Sequence, residues 1–231
     1  TVALGSNATV GRSTYAFGST ATALQLTVTG GAFNLLWNGG DANWNTTDAN
    51  WQKDGTGSNI AFFAGDNITV STANTITLDA GGITAGTLLV NNSTGTATLA
   101  GGTLVASGLT MAGAGTLQLN NTISGATLAV ANGTLDLGAQ SQTFANVSIT
   151  GGSITGSASV LTATGSAIDA QAGGISAILA GTVGLTKSTA GTVTLSGVNT
   201  YSGTTLVTAG TLALSGSGTF GSGSLTVSGG T

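Results

Sequence analysis

A glycine followed by four alternating residues recurs through most of this chain and restricts its fold more than any other feature. The unit reads Gly86-Thr-Leu-Leu-Val90, Gly102-Thr-Leu-Val-Ala106, Gly115-Thr-Leu-Gln-Leu119 and Gly133-Thr-Leu-Asp-Leu137, then Gly191-Thr-Val-Thr-Leu195, Gly210-Thr-Leu-Ala-Leu214 and Gly223-Ser-Leu-Thr-Val227. Its third and fifth residues are apolar, and its second and fourth mostly polar or small. That is the period of two of a strand with one face buried. No window carries the i, i+3, i+4, i+7 recurrence of an amphipathic helix, and Gly or β-branched residues break nearly every candidate. The units start about 13 to 19 residues apart, with a weaker copy at Ala126-Thr-Leu-Ala-Val130. This spacing is too short for βαβ units, whose crossover needs its own helix.

Hairpins of a β-sandwich and successive faces of a β-solenoid remain. Near-identical units suit stacked rungs, and Gly at each strand start suits a corner needing φ > 0 or close backbone approach. Thr, Ser and Asn recur at similar places, as ladders of like residues would, and the inward residues are small enough for a narrow bore. The expectation is an all-β chain whose residues 66–231 form a parallel β-solenoid. Residues 1–65 are expected to be N-terminal strands plus a Trp-rich insertion or cap. Strand patterns there begin at Val2-Ala-Leu4, Ala8-Thr-Val10 and Leu24-Gln-Leu-Thr-Val28, and are expected to add two or three rungs.

Composition narrows the chemistry. Charged residues are 4%: Arg12, Lys53 and Lys187 against seven Asp, with no Glu, His, Cys or Pro. Imidazole bases, thiolate nucleophiles, disulfides and sulfur-ligated metals are excluded. A net charge of −4 with three cations gives no electrostatic grip on nucleic acid. Apolar stretches such as Ile60 to Ala64 fall far short of the ~18 residues of a membrane helix. A membrane barrel would want aromatic girdles, and Tyr15 and Tyr201 are the only tyrosines. The 40% apolar content argues against disorder. The chain starts at Thr1, which reads as a mature product or an excised piece, and its composition suits a secreted or cell-surface protein.

The possible sites are few. Asp41, Asp48, Asp54 and Asp66 lie in the irregular region, while Asp79, Asp136 and Asp169 are isolated. A β-helix glycosidase or lyase needs clustered carboxylates, which nothing in this spacing supplies, so no enzyme, cofactor or metal ligand is expected. Gly39-Gly40-Asp41 is a lone fragment of the calcium-binding nonapeptide repeat. Thr-x-Thr pairs at 27/29, 75/77, 162/164 and 192/194 share no rung length, which argues against ice recognition. Trp37, Trp44 and Trp51 stand seven residues apart, the last two ending identical Asp-Ala-Asn-Trp tetrapeptides. They either plug the end of the bore or form a partner or glycan contact, with turns at Asn38-Gly39 and Asn45-Thr46 bringing them together.

The segment 184–216 resembles the autotransporter-associated β-strand repeat. Leu185-Thr186-Lys187 match its opening, Gly191 to Leu195 its first strand, Asn199-Thr200-Tyr201-Ser202-Gly203 its turn, and Gly210 to Leu214 its last strand. The family often has a second glycine after Gly203, where this chain has Thr204. Residues 36–51 also resemble Trp-Asn-Gly-Gly segments of large bacterial surface proteins that carry these repeats. The resemblance implies a right-handed parallel β-helix, exported and displayed on or shed from a bacterial cell, with no enzymatic activity of its own.

Strand patterns at both ends, without charge or helical cap, point to end-to-end joining through Val2, Leu4, Leu225 and Val227. The function expected first is a structural subunit of an extracellular bacterial fibre or surface assembly, a head-to-tail homopolymer serving adhesion or matrix. The alternatives are a monomeric autotransporter-type adhesin passenger or stalk, and a β-helix that binds or cleaves host or matrix glycans.

Overall fold

In the computed structural model every described element is a strand; residues 8–10, 13–19, 24–29, 31–39, 42–53, 57–156 and 158–231 are described. The chain divides into two compact units, Thr1–Phe33 and Asn34–Thr231. The Trp-rich segment is thus part of the unit that contains the solenoid, and does not group with the N-terminal strands.

The first unit holds an antiparallel meander of Ala8–Val10, Ser13–Ser19 and Leu24–Thr29. These strands are hairpins, not the extra rungs expected from their alternation. Two residues separate Val10 from Ser13, whereas a parallel neighbour needs a connection of a dozen or more. Val2 and Leu4 lie outside the described residues.

The second unit is a parallel β-solenoid of about eight turns with three faces. One face stacks Asn67–Val70, the second halves of Ile83–Val90, Leu104–Met111, Ile123–Val130 and Gln142–Ile149, then Ile168–Ala170, Leu185–Lys187, Thr205–Val207 and Leu225–Val227. Another runs from Asn43–Trp44 and Thr75–Leu78 through Thr96–Gly101 and Thr116–Leu119 to Thr211–Leu214. The third face is made by the first halves of the eight-residue strands. Register skips one residue there, since Ala85 pairs Ala106 and Thr87 pairs Gly108, so Gly86 and Ser107 turn a corner. Burial changes phase at the same point, with Ile83 and Ala85 inward before the corner and Leu88 and Val90 after it. Higher up, the corner separates two strands, Val160–Ala163 from Ile168–Ala170 and Ile178–Ala180 from Leu185–Lys187.

From Asn67 onward, parallel register partners lie 17 to 23 residues apart, which is the rung; the first pairs, Asn34 with Asn67 and Trp44 with Leu78, span 33 and 34 because the Trp-rich segment intervenes. The glycine-led unit marks a face rather than a rung: Gly86 and Gly223 open one face, Gly102 another, and Gly115, Gly133, Gly191 and Gly210 the third. Its spacing therefore falls short of a turn. Close approach, more than positive φ, requires the glycine. A Cβ on Gly102 would collide with the Asp79 carbonyl, although its φ is ordinary. Inward columns such as Val70, Val90, Met111, Val130 and Ile149 are buried, each such side chain contributing roughly 1.5–3 kcal/mol.

Candidate functional site

The aromatic segment comes first in the chain. Trp37 and Trp51 face each other across the antiparallel pair Asn34–Trp37 and Trp51–Lys53. Their rings meet edge-on at 4.8 Å and 72°. Trp44 lies 5.0 Å from Trp51 and 5.4 Å from Phe62, again near perpendicular. The expected turns are present. Gly39 has φ +96 and accepts from Ala42 N–H, and Asn45 Oδ1 accepts from the N–H groups of Thr47 and Asp48 at 2.9 and 2.8 Å. Asn50 Nδ2 donates to the Asn43 carbonyl at 2.8 Å, tying the two like tetrapeptides together.

Trp37, Trp44 and Trp51 are 0–2% exposed. Asn34–Trp37 pairs in parallel with Asn67–Val70, and Trp44 pairs Leu78, so the indoles close one end of the inward columns. The three indoles are thus buried against one another and against Phe62. A recess of about 220 Å³ is lined by Asn43, Trp44, Asn45, Thr77, Leu78 and Asp79.

The described aspartates do not cluster with one another, and each accepts hydrogen bonds from nearby groups. Asp66 Oδ2 accepts Phe63 N–H at 2.9 Å, Asp79 Oδ1 accepts Gly81 N–H at 3.2 Å, and Asp136 Oδ1 accepts Gly138 N–H at 3.0 Å. Asp48 accepts from the Asn45 amide, and Asp169 from Gln171 at 2.9 Å. Arg12, Asp41 and Asp54 lie outside the described residues.

The repeat segment 184–216 is where polar chemistry enters the interior. Alternation over Leu185–Lys187 points Lys187 inward, between Ala170 below and Val207 above, with no exposed surface. Its ammonium donates to the carbonyl of Thr189 and, at 3.2 Å, to that of Ala209 in the next turn. Thr189 Oγ1 in turn donates to the Gln171 carbonyl of the turn below at 3.2 Å. Burial holds the Lys187 ammonium below the usual lysine range.

Asn199 does the same at another corner. Its Oδ1 accepts Leu179 N–H from below at 2.8 Å, and its Nδ2 donates to the Thr219 carbonyl above at 2.6 Å. The Leu179 N–H faces this corner, where a buried donor without a partner would be costly. Tyr201 is fully buried, its hydroxyl 2.7 Å from Thr205 Oγ1. A Cβ on Gly203 would collide with Gly184 of the turn below. At the departure from the family pattern, the Thr204 hydroxyl sits on the surface 3.2 Å from Ser224 Oγ, so the larger residue is accommodated outside. The motif is thus a set of braces across three successive turns.

Two segments, 109–137 and 185–214, match the family model described as passenger-associated-transport-repeat. No curated protein and no solved structure matches the chain. The resemblance read from residues 184–216 is therefore shared by an independent stretch. Within it, Leu109-Thr110-Met111 lines up with Leu185-Thr186-Lys187, Asn121-Thr122-Ile123-Ser124-Gly125 with Asn199 to Gly203, and Gly133 with Gly210. Here the braces are divided between residues. Asn121 Nδ2 donates down to the Gly102 carbonyl at 2.8 Å, and Gln142 reaches down from the next turn to the Asn121 carbonyl at 3.0 Å. The earlier copy is less legible in the sequence because Met111 and Ile123 replace Lys187 and Tyr201 and its turn is two residues shorter.

Proposed function

We propose that this chain, a β-solenoid carrying two passenger-associated transport repeats, is a rigid structural segment of a bacterial surface or secreted protein. It acts as a stalk or passenger body that holds adhesive or matrix-forming parts at a distance from the cell. One observation carries this reading: in the repeat segment 185–214, Lys187 and Asn199 point into the solenoid and join its turns through hydrogen bonds to the neighbouring turns. Side chains that tie one turn to the next stiffen a continuous rod.

A self-assembling fibre is the second reading. In that reading Leu225 and Val227, which are 49% and 51% exposed, meet a second copy of this chain. At the opposite end, the antiparallel strands Trp51–Lys53 and Asn59–Ile60 lie beyond the last parallel pair, so a second copy would meet a different kind of edge there. Sedimentation and negative-stain electron microscopy over a range of concentrations separate the readings. A discrete species at all concentrations supports the stalk. Filaments that vanish with Leu225→Lys plus Val227→Lys, yet persist in high salt, support the fibre and overturn the stalk.

A further inference from the structure

The chain contains two Asn-Gly pairs, Asn38-Gly39 and Asn132-Gly133, and the fold treats them differently. Asn38 is anchored through its carboxamide, whose Nδ2 donates to Asn59 Oδ1 at 2.8 Å. Asn132 is exposed at the corner between Ile123–Val130 and Thr134–Asp136, and its carboxamide is folded back on the main chain. Its Oδ1 accepts the N–H of Gly133 at 2.9 Å. The flanking amides bond to the turn below, Asn132 N–H to the Met111 carbonyl at 3.3 Å and Thr134 N–H to the Gly115 carbonyl at 3.0 Å. The Gly133 N–H donates to the carboxamide instead. A solvent-reachable amide nitrogen is thereby held beside the carboxamide of its own neighbour by a rigid frame, which is the proximity that favours ring closure.

We propose that Asn132-Gly133 is a self-modification site at which the folded protein deamidates through a cyclic imide. Solvent base removes the Gly133 amide proton, and that nitrogen bonds to Asn132 Cγ. The Cγ–Nδ2 bond breaks, and the nitrogen takes up a proton from water and leaves as ammonia. Water then opens the five-membered imide at one carbonyl to give aspartate, or at the other to give an isoaspartyl linkage. The net reaction consumes one water and needs no oxidant or cofactor. The aspartyl product adds a negative charge at an exposed corner. The isoaspartyl product lengthens the main chain by one carbon where a Cβ on Gly133 would already collide with the carbonyls of Gly113 and Gly115. That product must draw Thr134 away from Gly115 and loosen one corner of the stack. The matching corner of the other repeat is Ala209-Gly210, which has no carboxamide, so the modification is confined to the first repeat.

The test is to hold the full chain, folded, in mildly alkaline buffer, then denature it, digest it with a broad-specificity protease and map every Asn by mass spectrometry. Isoaspartyl methyltransferase labelling counts the second product. Asn132 is expected to convert several-fold faster than Asn38, giving both products, and Asn132→Gln is expected to remove the fast phase with an unchanged far-ultraviolet circular dichroism spectrum. In denaturant the two pairs are expected to convert at similar rates. Retention of the Asn132 amide while Asn38 or another Asn converts, or equal rates at the two pairs in the folded protein, would overturn the proposal.

Discussion

Removing the Asn199 side chain tests whether the repeat motif braces the solenoid. Asn199→Ala takes away the acceptor for Leu179 N–H and the donor to the Thr219 carbonyl. Leu179 is fully buried, so its N–H loses its partner without gaining water. Thr219 is exposed, and water can replace part of what its carbonyl loses. At about 1–3 kcal/mol for a buried unpaired group and less for the rehydrated one, the loss is about 2–4 kcal/mol, against a total of roughly 5–15 kcal/mol for an ordinary domain. Asn199→Asp separates the two bonds. It keeps the acceptor but, when ionised, sets a buried carboxylate oxygen against the Thr219 carbonyl, raising the folded-state pKa above the unfolded value near 3.9. Such a group contributes stability that is fully present below the unfolded pKa and lost as pH rises through the folded one. The aspartate variant is therefore expected to approach wild type near pH 4, where its acid O–H can donate to Thr219, and to fall well below it at pH 7. Denaturant unfolding followed by far-ultraviolet circular dichroism at both pH values provides the readout, with exposed Asn91→Ala as a control expected within about 0.5 kcal/mol of wild type. An alanine variant as mild as that control, or an aspartate variant equally affected at both pH values, would refute the brace.

Three further outcomes follow from the same geometry. Burial lowers the Lys187 pKa, so its contribution to stability is greatest above the unfolded value of 10.5 and is lost as pH falls through the folded value. Unfolding midpoints are expected to rise with pH across that window and to flatten in Lys187→Met, which copies Met111; identical pH profiles would contradict the assignment. Lys187 has no exposed surface, so native trypsin is expected to spare the Lys187–Ser188 bond, and rapid cleavage there would show the repeat to be frayed. Trp51 touches Trp37, Trp44 and Phe62, so Trp51→Ala is expected to cost about 3–5 kcal/mol and to remove near-ultraviolet dichroism from the cluster; a loss below 1 kcal/mol would show that the plug is not packed.

Alternation made the strands legible, because a residue pointing into a narrow bore must be apolar whichever face it occupies. Alternation does not distinguish a rung from a hairpin, and in the meander of Ala8–Val10, Ser13–Ser19 and Leu24–Thr29 it is the two-residue link from Val10 to Ser13 that dictates antiparallel pairing. Rung length was hidden for a related reason. The glycine-led unit marks all three faces, and a period emerges only when Leu88, Leu109, Leu128 and Val147 are paired in space. The brace residues were harder still. Lysine is normally a surface residue, and only the inward phase of Leu185-Thr186-Lys187, together with carbonyls left over at a corner, reveals that it belongs inside. The heptad spacing of Trp37, Trp44 and Trp51 did signal a shared environment, and the Asn turns between them explain how three residues that one straight strand would separate come together.

The stack itself is tested most directly by distances along one outward column. Thr110, Ala129, Ser148, Asp169, Thr186, Leu206 and Thr226 are successive register partners, and the chain has no native cysteine, so spin labels can be placed on it at will. With rungs ~4.7–4.9 Å apart, a label at Thr110→Cys should lie about 19 Å from one at Thr186→Cys, 24 Å from Leu206→Cys and 29 Å from Thr226→Cys, before allowance for label length. Pulsed electron paramagnetic resonance that finds equal increments from pair to pair would establish the parallel solenoid. Distances that alternate, or that fail to grow with rung number, would contradict it.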